Sequence, residues 1–159
     1  MYVMNKQNKQ RIQELEYNIL KEQYPMVPDH AIARTAWSDK TANGLTKMIV
    51  SFIQMSGFQA ERVNTMGTYR AAKRYKDYDG NERTIGKGKW TKSGSTPGSA
   101  DISATIKGRS VKIEVKIGKD FQSEAQKQYQ KAIENAGGTY IIAKDFDQFI
   151  EWYDYFVKI

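Results

Sequence analysis

Gly98–Lys116 reads GSADISATIKGRSVKIEVK, and its alternation decides the fold. Ile102, Ala104 and Ile106 recur at every second position, as do Val111, Ile113 and Val115. A period of two predicts two strands, 100–107 and 110–117, each with one apolar face. Lys107-Gly108-Arg109-Ser110 reads as a two-residue hairpin with Gly108 at the first central position, as a type II′ turn requires. Counted back from that turn, Thr105 faces Lys112, Ser103 faces Glu114 and Asp101 faces Lys116. Asp101, Glu114 and Lys116 then share the polar face, with the two acids diagonal neighbours about 7–8 Å apart.

Two carboxylates and an ammonium on one face suit phosphodiester chemistry. An all-oxygen donor set points to Mg²⁺, with Mn²⁺ able to substitute. A divalent cation polarises a bound phosphate and lowers the pKa of a bound water. Lys116 beside the acids would orient that water or stabilise charge developing on the phosphate. The same residues also fit a plainer reading, cross-strand ion pairs on a solvated sheet face.

Outward from this hairpin, helical periodicity appears three times before residue 137. Ile12, Leu15, Ile19 and Leu20 stripe a helix over 6–24, ended by Tyr24–Pro28. A loop runs to about Asp39. Leu45, Met48, Ile49, Phe52 and Ile53 form the buried face of a helix over 41–56, with Gly57 as the left-handed residue after it. A third helix spans 123–136 and closes at Gly137-Gly138. Short strands are expected at 58–63 and 139–143. Asp145 opens a last, aromatic-rich helix with Gln148 as its capping-box partner. Residues 64–97 are the least regular, with strands around 68–75 and 83–91 and a turn at Asp79-Gly80.

Composition narrows the chemistry. The 159 residues are 40% apolar, enough for one domain with a real core. With no cysteine, disulfides, thiolate nucleophiles and cysteine-ligated zinc are excluded. A single histidine, His30, lies in an expected loop, so catalysis must come mainly from carboxylates, Lys, Arg and Tyr. No apolar run has the length of a membrane span and the N-terminus lacks a signal-peptide core, so no membrane partner and a cytoplasmic location are expected. The net charge of +7 favours a polyanionic partner.

Gly98-Ser99-Ala100-Asp101 followed by Ile113-Glu114-Val115-Lys116 resembles the signature of the PD-(D/E)xK nuclease superfamily, with Ala100 in place of the proline. The downstream run Gly118–Gln126, then Gly137-Gly138 and Thr139–Ala143, resembles its VRR-NUC (virus-type replication-repair nuclease) branch. The likeness covers about residues 41–150 and is strongest from 98 to 143. It implies an α/β fold of mixed α+β type: a restriction-endonuclease-like core with a mixed central sheet flanked by helices in αβββαβ order. The chain then divides into an extra N-terminal helix and connecting loop, 1–40, and a nuclease-like domain, 41–159. It further implies a divalent metal held by Asp101, Glu114 and the main-chain carbonyl of Val115, with Lys116 acting beside them and Gln126 lying near the site. Ser123 and Gln126 also form a capping box by themselves. Relatives usually carry a glutamate on the first core helix. Residues 41–56 contain no acid, leaving Asn43 as a neutral substitute, with Asp39 and Glu61 on neighbouring elements.

Arg62 and Asn64 resemble the Arg-x-Asn that follows the first helix in relatives. Beyond them, Arg70, Lys73, Arg74, Lys87, Lys89 and Lys92 are interleaved with Tyr69, Tyr75, Tyr78 and Trp90. Cations neutralise phosphates and aromatics stack on unpaired bases, so this stretch is the expected DNA-binding surface. The functional expectation is a Mg²⁺-dependent DNA endonuclease of replication, repair or recombination, from a phage or mobile element, with branched DNA among its substrates. The alternative is a nucleic-acid-binding module that keeps the fold without cleavage. The stripe of helix 6–24 either caps the domain or pairs with a second copy; a homodimer would supply two symmetric cuts.

Overall fold

Residues 2–64, 67–91 and 94–159 are described by a computed structural model. Lys92, one of the expected DNA contacts, lies outside them. The elements run α1 (Lys6–Gln23), α2 (Ala42–Met55), β1 (Gln59–Arg62), β2 (Thr68–Arg70), β3 (Lys73–Lys76), β4 (Glu82–Ile85), β5 (Lys89–Thr91), β6 (Ile102–Ile106), β7 (Arg109–Val115), α3 (Glu124–Asn135), β8 (Thr139–Ala143) and α4 (Phe146–Phe156). His30 sits in a three-residue 3₁₀ turn, Asp29–Ala31, exposed to solvent.

The central sheet is mixed, in the order β1-β6-β7-β8. β1 and β7 both run antiparallel to β6, while β8 lies parallel to β7. The parallel pair requires a crossover, which α3 supplies. Helices flank the sheet. Ile102, Ala104, Ile106, Val111, Ile113 and Val115 all face one core together with Leu45, Met48, Ile49, Phe52 and Ile53 of α2. Phe146, Phe149 and Tyr153 of α4 meet the Phe52 ring edge-on at 5.7, 6.0 and 5.1 Å. Each such buried ring contributes roughly 1.5–3 kcal/mol. α1 joins this core through Ile12 but Ile19 is exposed, so the N-terminal stripe is narrower than its periodicity suggests. Ile19 lies in the last turns of α1, past the part packed against α4.

The β6–β7 turn differs from expectation. Lys107 (φ 50°) and Gly108 (φ 74°) are both left-handed, so they are the central pair of a type I′ turn. Ile106 therefore pairs with Arg109, and Ser103 with Lys112 instead of Glu114. The slip of two residues leaves every side chain on its face, which is why apolar alternation does not register it. Arg109, now a strand residue, lays its guanidinium 3.7 Å from the Phe156 ring centroid, and the Lys107 ammonium donates to the Val157 carbonyl at 2.5 Å. These contacts with the end of α4 favour the I′ register.

The last helix also caps differently. Asp145 accepts from the Gln148 N–H at 2.8 Å, but the Gln148 side chain accepts from the Lys144 N–H, one residue earlier than a capping box.

The expected strands 68–75 and 83–91 are each split in two. β2 pairs with β5 and β3 with β4, forming one long two-stranded arm. Residues 71–72 oppose 86–88, so the second strand carries an extra residue, a bulge that breaks the ladder. Every residue of these four strands is exposed.

Candidate active site

Continuing the β6–β7 ladder past Ile102↔Ile113 places Asp101 directly opposite Glu114. The two acids are therefore closer neighbours than the diagonal arrangement expected from the II′ turn. Asp101 stands just before β6, where its Oδ2 accepts from the Val115 N–H at 2.9 Å and its carbonyl accepts from the Val63 N–H at 2.8 Å. Gly98 sets the approach. Its φ is 78°, and a Cβ there would stand 2.3 Å from the Ala125 carbonyl oxygen and 2.8 Å from the Gln126 nitrogen. Only glycine lets this loop press against the first turn of α3.

Glu114 lies on β7, on the face away from the apolar core, and is 2% exposed. Its Oε1 accepts from Gln126 Nε2 at 2.5 Å and lies 3.1 Å from Lys116 Nζ. Its Oε2 is buried and has no hydrogen-bond partner among the described residues. Burial first, then the charge of Asp101, raises the Glu114 pKa above the ordinary glutamate value, against the opposing pull of Lys116. Lys116 follows β7, donates its N–H to the Ala143 carbonyl at 3.0 Å, and also reaches Asp120 at 3.3 Å. Burial lowers its pKa, but the bonds and charges of Glu114 and Asp120 outweigh that and leave it above the usual lysine value. It remains an ammonium.

Gln126 combines the two roles open to it. Its Oε1 accepts from the Ser123 N–H at 2.9 Å while Ser123 Oγ accepts from the Gln126 N–H, a complete capping box on α3. Its Nε2 is thereby turned toward Glu114. Tyr140 on β8 closes the wall. It pairs with Lys112 across the parallel ladder, so it shares the face of Glu114. Burial, then the negative charge of Glu114, pushes its phenol well above the usual tyrosine value. Sequence reading passed over Tyr140 because its face follows from the β7–β8 register, which strand alternation does not reveal.

Asn43 and Arg62 lie on the other side of the sheet. Arg62 pairs with Ile102, a core-facing residue, and donates to Asn43 Oδ1 at 2.8 Å. They line a separate cavity of about 500 Å³ with Thr46, Lys47, Val50 and Ser51. Asp39 is buried, its Oδ2 accepting from the Phe146 N–H at the start of α4. Glu61 pairs with Ser103 and is exposed on the edge strand. Among the described residues no group of three or more His, Asp or Glu side chains comes together as a metal cage. What the site offers is the facing pair Asp101 and Glu114, with Val115 between Glu114 and Lys116.

Arg70, Lys73, Arg74, Lys87 and Lys89 belong to the arm, and Asn64 is exposed two residues past Arg62. Arg70 pairs with Lys89, while Tyr69 pairs with Trp90 on the opposite face at a centroid distance of 6.5 Å. Tyr69 lies over Gly88 and Trp90 over Gly67, where side chains would clash. Like charges paired directly across the ladder at Arg70 and Lys89 disfavour the isolated hairpin. Compared with known proteins, the chain matches no family model and no curated protein sequence.

Proposed function

We propose that this chain is a metal-dependent DNA endonuclease with a restriction-endonuclease-like core of PD-(D/E)xK type. The observation that carries the reading is the buried Oε2 of Glu114, which no hydrogen bond satisfies among the described residues, on a residue whose charge acts on and is acted on by Asp101. An orphaned carboxylate oxygen is costly to bury, and a cation is what relieves it. Setting the arm aside, the order α2-β1-β6-β7-α3-β8 supports the same core.

Asp101, Glu114 and the Val115 carbonyl would hold Mg²⁺, or Mn²⁺ in its place. Bound there, the ion supplies a polarised phosphate and a more acidic water. The protein's own part is positioning. Gln126 holds Oε1 of Glu114 and so fixes the carboxylate's orientation. Lys116 presents a fixed positive charge to the developing phosphate charge. The arm binds the flanking phosphates.

The test is incubation with supercoiled, single-stranded and four-way-junction DNA in Mg²⁺, Mn²⁺ or EDTA. Metal-dependent cutting that disappears in Asp101→Ala and Lys116→Ala is expected. Cutting that survives both substitutions overturns the assignment. A non-cleaving nucleic-acid-binding module is the second reading, favoured by the absence of any acid from α2 and the engagement of Asn43 by Arg62. Its signature is salt-sensitive binding without cleavage.

A further inference from the structure

A second cavity opens on the solvent side of Lys116, and no role described so far uses it. It holds about 340 Å³ and is lined by Lys116, Asp120, Phe121, Lys127 and Lys144, among others. Phe121 stands on the loop between β7 and α3 with 82% of its surface exposed. A phenylalanine this open beside a buried ion pair contributes little to the core, and its ring is free to stack. Lys127 and Lys144 add positive charge to the same walls; Lys127 lies 3.5 Å from Glu124.

We infer that this cavity receives one unpaired nucleotide next to the bond being cut, its base stacked on Phe121 and its phosphate drawn by Lys127 and Lys144. The volume suits a single nucleotide-sized group. A ring fixed on the protein stacks on a base only when that base has left its own stack, so a continuous duplex does not fill the cavity. A flap, a single strand or a branch point does. This rests on Lys116 belonging to the active site and narrows the substrate of that same site. Phe121 is a specificity residue; the acids and Lys116 are untouched by its removal.

The experiment uses Asp101→Asn protein, so that DNA stays intact, and a flap substrate carrying 5-iododeoxyuridine as its first unpaired nucleotide. Irradiation should crosslink that base to Phe121, identified by mass spectrometry. Phe121→Ala should lower the yield about tenfold, and Phe121→Tyr should restore it. Iododeoxyuridine within a continuous duplex should give no crosslink at residue 121. Phe121 is exposed, so both variants will fold. In parallel, anisotropy of a distant fluorophore reports binding, and wild-type protein with Mg²⁺ reports cleavage. Binding and cleavage with crosslinks unchanged by Phe121→Ala overturn this inference while sparing the nuclease. Crosslinking at Phe121 without wild-type cleavage leaves a stacking site for an unpaired nucleotide but overturns its placement beside a scissile bond, and the nuclease with it. Absence of all DNA binding overturns both.

Discussion

Glu114 is where stability and proposed function oppose each other. Its folded pKa lies above the ordinary glutamate value, chiefly because it is buried. Its contribution to stability is thus full below about pH 4.3 and is lost as pH rises through the folded value. At neutral pH the ionised group is a net cost. Glu114→Gln is therefore expected to raise the melting temperature at pH 7 by a few degrees, corresponding to about 1 kcal/mol. The gain should vanish toward pH 4. Mg²⁺ should raise the melting temperature of the native protein and leave that of Glu114→Gln unchanged. Thermal melts across pH, with and without metal, check both statements. Gly98→Ala belongs to the same scale. Its Cβ would meet the Ala125 carbonyl at 2.3 Å in a left-handed conformation. A loss of about 1–3 kcal/mol is expected by denaturant titration, because the 94–101 loop must leave α3. Asp101 and Gln126 would separate with it, so cleavage should fall more than stability alone explains.

Among the elements, those with strong periodicity were legible. The 41–56 pattern became α2 with its five apolar residues fully buried, and Thr139–Ala143 became β8 as read. Faces of β6 and β7 were legible too, because parity survives a slip of two. The register was not, because the choice between I′ and II′ turns on contacts of Lys107 and Arg109 with the end of α4, far along the chain. The face of Tyr140 was hidden as well, because it follows from the β7–β8 register instead of from alternation within β8. Residues 68–91 resisted reading because nothing there is buried, so no alternation is imposed. That segment carries seven Lys and Arg against three Asp and Glu. Replacing Arg70, Arg74 and Lys89 together by Gln should weaken DNA binding and reduce the salt slope of log K by about 2–3. Binding measured from low to moderate salt decides it; an unchanged slope would remove the arm from the interface.

At the scale of the whole molecule, α1 is fastened to α4 by two carboxylates. Asp147 accepts from the Tyr2 hydroxyl, the Asn5 N–H and Asn8 Nδ2 at 2.6, 2.8 and 2.7 Å. Asp154 takes both Arg11 nitrogens at 2.8 Å. Burial opposes ionisation of Asp147, but its three donors prevail and its pKa falls below the ordinary aspartate value. That stabilisation is present above about pH 3.9 and is lost as pH falls through the folded value. Asp147→Asn should cost about 1–3 kcal/mol at pH 7 and progressively less in acid, as chemical denaturation at each pH will show.

β1 and β6 are neighbours in the sheet, and the chain between them departs and returns across one bond, from the Val63 N–H to the Asp101 carbonyl. Whatever occupies that excursion need not be compatible with the interior, only with its two closely spaced ends. A chimera with a foreign binding hairpin grafted in place of residues 68–91 would then keep the proposed cutting chemistry and take its address from the graft.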